Sequence, residues 1–421
     1  MSTAPTELVA NKAPESAEAL NRRASVANPV SAFEKTNLLG FSPSGMEQLF
    51  AEMGEKPFRA RQLLKWIYHR KVTGFADMTD LSKKVRSRLE GEYEIRLPEV
   101  VVDKTASDGT RKWVLKMEGG NAIETIAIPD GNRVTLCVSS QVGCVLDCTF
   151  CSTATQGFNR NLSMAEIVGQ LWVANEMLGP KAKAEGVACS NTPTSVNAIT
   201  NVVMMGMGEP LANYQQVLPA MQLFTSDFGF GLSRKRVTVS TSGLVPYIDK
   251  LGVDCDVALA ISLHAPTDEL REQIVPINRR YPIAELMAAC DRYVDGKSFQ
   301  MSITYEYVML DGVNDQPEQA RQLVKLLAER PAKLNLIPFN PFPDTQYQRS
   351  SDDAIAKFQK ILMNAGVVTT VRRTRGDDID AACGQLVGQV KDRSRRRERW
   401  EKLGRIPVRT ESADSKPGDS K

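Results

Sequence analysis

From residue 133 onward the chain repeats one pattern: a short β-branched or apolar run, then an amphipathic segment with helical spacing, then another run. The runs are RVTLCVSS, NVVMMGMG, KRVTVSTS, VALAISLH, MSITYEYVML, KLNLIPF and VVTTVRR. Helical segments between them include SMAEIVGQLWVANEML, YPIAELMAACDRYV, QARQLVKLLAER and DDAIAKFQKILMNAG. Strands alternating with helices pair through crossovers, so the pattern predicts an α/β fold on a parallel sheet, open or closed into a barrel. Such sheets bind ligands beyond the carboxyl ends of their strands. The punctuation agrees: a cysteine-rich loop follows the first run, GMGEP the second, STSG the third, SLHAP the fourth and NPF the sixth. One large site at one rim is expected.

Ahead of this core, residues 42–96 show apolar residues three and four apart, with helix starts expected at Ser42 and Asp80. Around 98–129, alternating apolar residues and Gly-rich turns suggest two or three short strands. Residues 1–36 are rich in Ala, Ser, Asn and Pro, carry four glutamates and hold no long apolar run. They read as a disordered tail rather than a secretory, organellar or membrane segment, and a cytoplasmic protein is expected. Residues 179–197, small and polar, read as a loop insertion.

The net charge of +3 hides an uneven distribution. Lys56 to Arg96 holds eleven Lys/Arg against five Asp/Glu, and Lys391 to Arg405 eight against three. Two basic segments around a more acidic middle suit either a polyanion partner or solvated helix faces.

Four of the eight cysteines fall within CVSSQVGCVLDCTFC, residues 137–151. In a reducing compartment, clustered thiols point to metal binding or catalysis rather than disulfides. Cys144, Cys148 and Cys151 form C-x3-C-x2-C. Structural zinc sites use paired knuckles at two places, and no second pair exists here. Ferredoxin clusters take four cysteines, so three ligands leave one iron open to a substrate. Cys189, Cys255 and Cys290 read as small buried hydrophobes.

CVLDCTFC, with an aromatic before its last cysteine, resembles the signature of the radical S-adenosylmethionine enzymes, and GMGEP resembles their motif after the second strand. Over about residues 37–390 the chain resembles the RlmN/Cfr family of RNA methyltransferases. The segments that carry the likeness are FRARQLLKWIY, AIETIAIP, CVSSQVGCVLDCTFC, MMGMGEPL, VTVSTSG, SLHAP, IPFNPF and RGDDIDAACGQL. The resemblance implies a partial (β/α)6 barrel over 133–375, a linking β segment over 98–132 and a small helical RNA-binding accessory domain over 37–97. It also implies a catalytic C-terminal segment over 376–390; a basic, then flexible, tail follows over 391–421.

By the same resemblance, Cys144, Cys148 and Cys151 hold one [4Fe-4S] cluster whose open iron binds S-adenosylmethionine. Gly208, Glu209, Ser240, Ser262, Leu263, His264 and Asn340 match cofactor-contacting positions. Two S-adenosylmethionine molecules serve each turnover: one methylates Cys383, the other gives a radical that activates the S-methyl group. That carbon adds to adenine C2, Glu124 acts as base, and Cys137 attacks the sulfur of Cys383 to release the product. The implied partners are 23S rRNA and tRNA, a flavodoxin-like or other low-potential electron donor and a cellular thiol reductant, with no membrane and a monomeric protein. From the residues alone Glu124 reads as a solvated strand carboxylate, and His264 as a satisfied core histidine without an acid/base role. Trp66 and Tyr68, amid Lys65, Arg70 and Lys71, offer stacking and phosphate contacts to RNA, or else Trp66 belongs to the core. Methylation at C8 of the same base and a noncatalytic RNA-binding protein with a structural or redox-sensing cluster stay open. So does a radical enzyme acting on a small molecule.

Overall fold

Three helices build the N-terminal module, each started by a residue suited to the task. Ser42 caps Pro43–Glu52, its Oγ accepting from Gly45 N at 3.0 Å, and Pro57 opens Pro57–Tyr68 with a preset φ. The third helix, Lys83–Glu92, starts two residues later than the expected Asp80: Ser82 Oγ accepts from Val85 N. The Asp80 carboxylate is instead taken by Trp66 Nε1. Ala60, Leu63, Leu64 and Ile67 place one apolar stripe of the second helix in the core. The strands β1 (Thr36–Asn37) and β2 (Tyr93–Glu94) pair in parallel and close the module. The computed structural model describes residues 35–179, 198–297, 301–343, 345–379, 381, 384, 386, 388, 390 and 392–402. The expected N-terminal tail up to residue 34, the insertion 180–197, Cys189, Cys383 and residues 403–421 lie outside them.

The linking segment forms three strands, β3 (Glu99–Thr105), β4 (Arg111–Lys116) and β5 (Ala122–Asp130), in an antiparallel meander. It continues antiparallel onto β6 (Arg133–Cys137), the first strand of the repeat. A short ribbon, β7 (Gln141–Gly143) with β8 (Phe158–Asn161), follows. Then come β9 (Asn201–Met204), β10 (Val237–Thr241), β11 (Ala258–Ser262), β12 (Ile303–Met309), β13 (Ala332–Pro338) and β14 (Val368–Val371). All ten long-sheet strands form one open sheet in the order β14-β13-β12-β11-β10-β9-β6-β5-β4-β3, with β6 and β9 to β14 parallel. The seven runs read from the sequence are these seven strands, and β14 and β3 remain the sheet's edges. Mutual parallel neighbours need crossovers, which the chain supplies with helices such as Met164–Leu178, Tyr214–Thr225 and Val245–Asp254.

Pairings such as Leu136↔Val202, Ser240↔Ala260, Ser262↔Glu306 and Glu306↔Asn335 keep the strand ends level. The loops after the strands therefore meet at one rim. One continuous apolar core runs from Leu38 in the N-terminal module through Leu386. No helix among the described residues is long and apolar enough to cross a membrane.

Candidate active site

The loop after β6 is fastened before it reaches its cysteines. Val138 N donates to Val203 O at 2.9 Å, and Ser140 N and Gln141 N donate to Met207 O. The ribbon of β7 and β8 then pinches the loop shut, with Cys144 N bonded to Gly157 O at 2.8 Å. Gly143 has φ +76°, and a Cβ there would lie 2.2 Å from Gly157 O, so only glycine permits the closure. Between these ends, Cys144, Cys148 and Cys151 face a cavity of about 170 Å³ at the strand rim. Its opposite walls come from Gly206, Gly208 and Glu209 after β9, Ser240 to Ser242 at the end of β10, Ser262 and His264 at the end of β11, and Asn340 after β13.

Burial pushes all three thiols up, Cys148 to about 12, and neighbouring thiols push Cys144 and Cys148 further. A thiolate, the form that binds metal, is unfavourable here until a cation arrives. Three thiols lining one cavity, Cys148 buried and Cys144 and Cys151 half-buried, thus fit an iron-sulfur cluster held by three protein sulfurs. No group of three His, Cys, Asp or Glu among the described residues gathers as a single-ion site.

Glu209 is buried, and its carboxylate ties two rim loops together: Oε1 accepts from Leu211 N at 3.0 Å and Oε2 from Ser242 N at 2.8 Å. Gly208 beside it has φ +99°, and a Cβ would meet Gln141 Cβ at 2.4 Å. Burial lifts Glu209 to about 7 against the pull of those amide donors. Its ordinary value is 4.5, so between these values the folded chain holds a proton that the unfolded chain has released. Its stability contribution is therefore full below pH 4.5 and is lost as pH rises to about 7, a change on the order of 3 kcal/mol. Urea titrations of metal-free protein should show this slope in wild type and lose it in Glu209→Gln. Equal slopes in the two proteins would place the proton elsewhere.

His264 sits at φ +61°, unusual for a residue with a Cβ, and is held there from three sides. Its N donates to Glu306 O, its O accepts from Asn314 Nδ2, and its Nδ1 accepts from Val308 N at 3.0 Å. Burial, then the charge of Arg271, lowers its pKa to about 3, so the ring stays neutral. It packs edge-on against Phe150, the aromatic before Cys151, with centroids 4.6 Å apart. The expected absence of an acid/base role fits this satisfied, neutral imidazole.

Leu263 is the cofactor candidate that the cavity does not include. Its side chain is fully buried in the core, because alternation along the chain turns it from the wall that Ser262 and His264 line. Glu124 is not a solvated carboxylate: it is 4% exposed and lies 3.2 Å from Lys112 Nζ across β4 and β5. Neither Glu124 nor Cys137 lines the cavity, although they lie on adjacent strands whose register places Ile126 opposite Cys137. Cys383 itself lies outside the described residues, while its neighbour Gly384 lines the cavity and accepts from Ser152 N at 2.9 Å. Tyr68 is buried against Phe230 with centroids 5.1 Å apart and offers no stacking face. Trp66, 9% exposed, carries the Arg70 guanidinium 3.9 Å from its ring centroid.

Two arginines carry much of the site and stand in no motif read from the sequence. Arg271, fully buried, donates to the carbonyls of Ser242, Ser262 and Leu263 and to Asn278 Oδ1. It ties the ends of β10 and β11 together beneath the cavity. Arg396, 3% exposed, reaches the cysteine loop from the C-terminal segment. Glu306 also lines the cavity, with Oε1 bonded to Asn335 Nδ2 and Oε2 lacking a hydrogen-bond partner 4.0 Å from Arg372 Nε.

A partial parallel barrel with a three-cysteine loop after its first strand defines a radical S-adenosylmethionine enzyme, and the Radical SAM superfamily model matches residues 195–324. Residues 36–95 match the ribosomal RNA large subunit methyltransferase N-terminal domain. A dual-specificity RNA methyltransferase RlmN of Alcanivorax borkumensis is 56% identical over 386 residues, covering 91% of this chain and 98% of its own. One from Marinobacter nauticus is 56% identical over 369 residues, covering 88% and 97%. A radical SAM methyltransferase from Sphaerobacter thermophilus superposes with a TM-score of 0.74 at 40% identity, covering 83% of this chain and 99% of that one. The chain belongs to the RlmN family of radical S-adenosylmethionine methyltransferases.

Proposed function

We propose that this protein methylates C2 of adenine in RNA, in 23S rRNA near the peptidyl-transfer centre and in tRNA beside the anticodon, with Cys383 as methyl carrier. The dual-specificity name of its relatives supports the two RNA classes. The observation that carries the carrier role is Gly384: the residue after Cys383 lines the cavity with the three clustered cysteines. Leu386 O accepts from Thr153 Oγ1 at 2.9 Å, so the same segment is bonded to the cysteine loop at two residues.

Adenine C2 lies between two ring nitrogens and is electron-poor, so it does not attack a methylsulfonium as a nucleophile. When bound, the cluster and S-adenosylmethionine supply both a transferable methyl group and, after one-electron reduction, a carbon-centred radical. In this reading the chain's residues do the rest. Cys383 accepts the methyl group on sulfur and later carries the carbon that bonds to the base. Glu124, a carboxylate paired with Lys112, takes the proton from C2, and the adduct's unpaired electron would return to the redox chain that supplied it. Cys137 then attacks the sulfur of Cys383, forming a disulfide while the carbon leaves with the bonding electrons and is protonated; a cellular thiol reduces the disulfide. Gly208, Glu209, Ser240, Ser262, His264 and Asn340 form the cofactor walls. The helical module over 37–97, where Arg70 covers Trp66 and Arg61 and Lys65 approach Phe228, offers RNA a basic and aromatic face. A low-potential, flavodoxin-like donor, a cytoplasmic setting and a monomer complete the proposal.

The test is nucleoside mass spectrometry of RNA treated anaerobically with reconstituted protein and S-adenosylmethionine. 2-Methyladenosine is the expected product. 8-Methyladenosine would move the reaction to the other carbon, and no methylated adenosine would sink the proposal. Cys137→Ala should trap most of the turned-over protein as a covalent RNA adduct on denaturing gels; free product at the wild-type yield would remove its resolving role.

A further inference from the structure

The segment 392–402 has no part in the chemistry above, yet it buries a guanidinium against the cysteine loop. Arg396 Nη1 donates to the carbonyls of Cys144 at 2.8 Å, Leu146 at 2.6 Å and Ala154 at 2.9 Å, and Nη2 to Val145 at 2.9 Å. We propose that residues 392–402 are a clamp that holds the cysteine loop in its metal-binding shape, with Arg396 as the positioning residue. The inference rests on the reading that Cys144, Cys148 and Cys151 hold an iron-sulfur cluster.

Several independent features seat this segment. The Asp392 carboxylate accepts from Phe158 N at 3.1 Å, Ser394 N at 2.7 Å and Arg396 N at 2.9 Å. Arg393 N donates to Phe158 O at 3.0 Å, which prolongs β8 by one backbone bond. Gly157 makes room: a Cβ there would lie 2.1 Å from the Asp392 carboxylate. Trp400, 2% exposed, packs with Ala154 and against Cys151. The loop needs such support, since apart from the turn Ser152–Thr155 it has no regular structure. Fixing a free loop costs conformational entropy at every residue, which weakens metal binding unless the shape exists beforehand.

The choice of arginine follows from geometry. A planar fork serves several carbonyls at once, which a lysine ammonium does not. In a trans peptide the N–H points opposite to its carbonyl, so gathering these oxygens on Arg396 turns the following amides away from it. A buried cation also offsets the negative charge of three thiolates. One residue of the sequence's second basic run thereby acquires an internal purpose: Arg396 is buried, whereas Arg393, Arg395 and Arg399 are exposed.

The full chain, reconstituted anaerobically, gives the test with Arg396→Met, Arg396→Lys and the exposed control Arg399→Met. Iron loss to a chelator should quicken at least about tenfold in Arg396→Met, with Arg396→Lys between it and wild type. Arg399→Met should match wild type, and the electron paramagnetic resonance signal of the reduced cluster should change in Arg396→Met alone. Hydrogen exchange of metal-free protein adds a readout that needs no iron: residues 144–157 should exchange faster in Arg396→Met while β9 to β13 stay protected. Asp392→Asn, milder than a truncation, should show the same pattern at smaller size. Wild-type iron retention and wild-type exchange in Arg396→Met overturn the clamp. If wild type itself takes up no iron, the cluster reading fails and takes the clamp with it.

Discussion

Cys148→Ala, reconstituted beside wild type, should hold less than about a tenth of the wild-type iron and form no detectable methylated adenosine. The expectation follows from the burial of all three thiols. Each is pushed above its ordinary pKa because the cavity offers little to stabilise a thiolate, so the cluster's charge is what deprotonates them. Removing one sulfur leaves two ligands and a second open iron, which water and chelators reach. Ser242 Oγ lies 4.0 Å from Cys148 Sγ and is a poor substitute as a neutral hydroxyl. Cys290→Ala is the matched control: this thiol is fully buried elsewhere in the core, and its loss should reduce stability by about 1 kcal/mol without touching iron. Iron analysis and the visible spectrum of both proteins check the pair. Full iron in Cys148→Ala would exclude this thiol as a ligand.

Arg271→Met should lower the unfolding free energy of metal-free protein by at least about 4 kcal/mol in urea, among the largest single-site losses expected. Its guanidinium makes bonds of 3.0 Å to Leu263 O, 2.8 Å to Asn278 Oδ1, 2.7 Å to Ser242 O and 3.0 Å to Ser262 O. Burial lowers its pKa to about 10, which leaves it charged at neutral pH. The methionine variant fills similar space and strands those acceptors without donors. Asn278 also serves Asp268 at 2.8 Å, and Asp268 accepts from Ile283 N at 2.8 Å, so the disturbance passes into the next helix. Arg271→Lys should recover part of the loss, since an ammonium reaches only some of the acceptors. A loss below about 1 kcal/mol would mean that water replaces the guanidinium at these carbonyls.

The parallel strands and their loops were legible because both are local. β-Branched runs such as VTVST, buried on one or both faces, announce their own extended state, and Gly-rich ends announce the rim. C-x3-C-x2-C was legible for the same reason: its three cysteines lie on one short loop, and the structure sets all three on one cavity. The start of Lys83–Glu92 was displaced because Asp80 and Ser82 are both competent caps, and the choice went to a distant partner, Trp66, which took the Asp80 carboxylate. Leu263 shows what a motif leaves open: it names neighbours without saying which face of the chain each presents, and the Leu263 side chain lies in the core.

What the amino-acid order determined by itself is thus the repeat, the cysteine spacing and the rim on which it stands, since helix period, strand alternation and residue spacing are short-range physics. Tertiary structure alone decided the burial and hydrogen bonding of Arg271 and Arg396. Each sits in a segment whose local pattern reads as exposed and polar, and each is buried only because carbonyls from remote loops converge on it. Strand pairing likewise places Glu124, expected to be solvated, in a buried ion pair with Lys112 on the neighbouring strand. A buried charge is tolerable when several partners surround it, and partners that lie far apart along the chain meet only in the folded molecule.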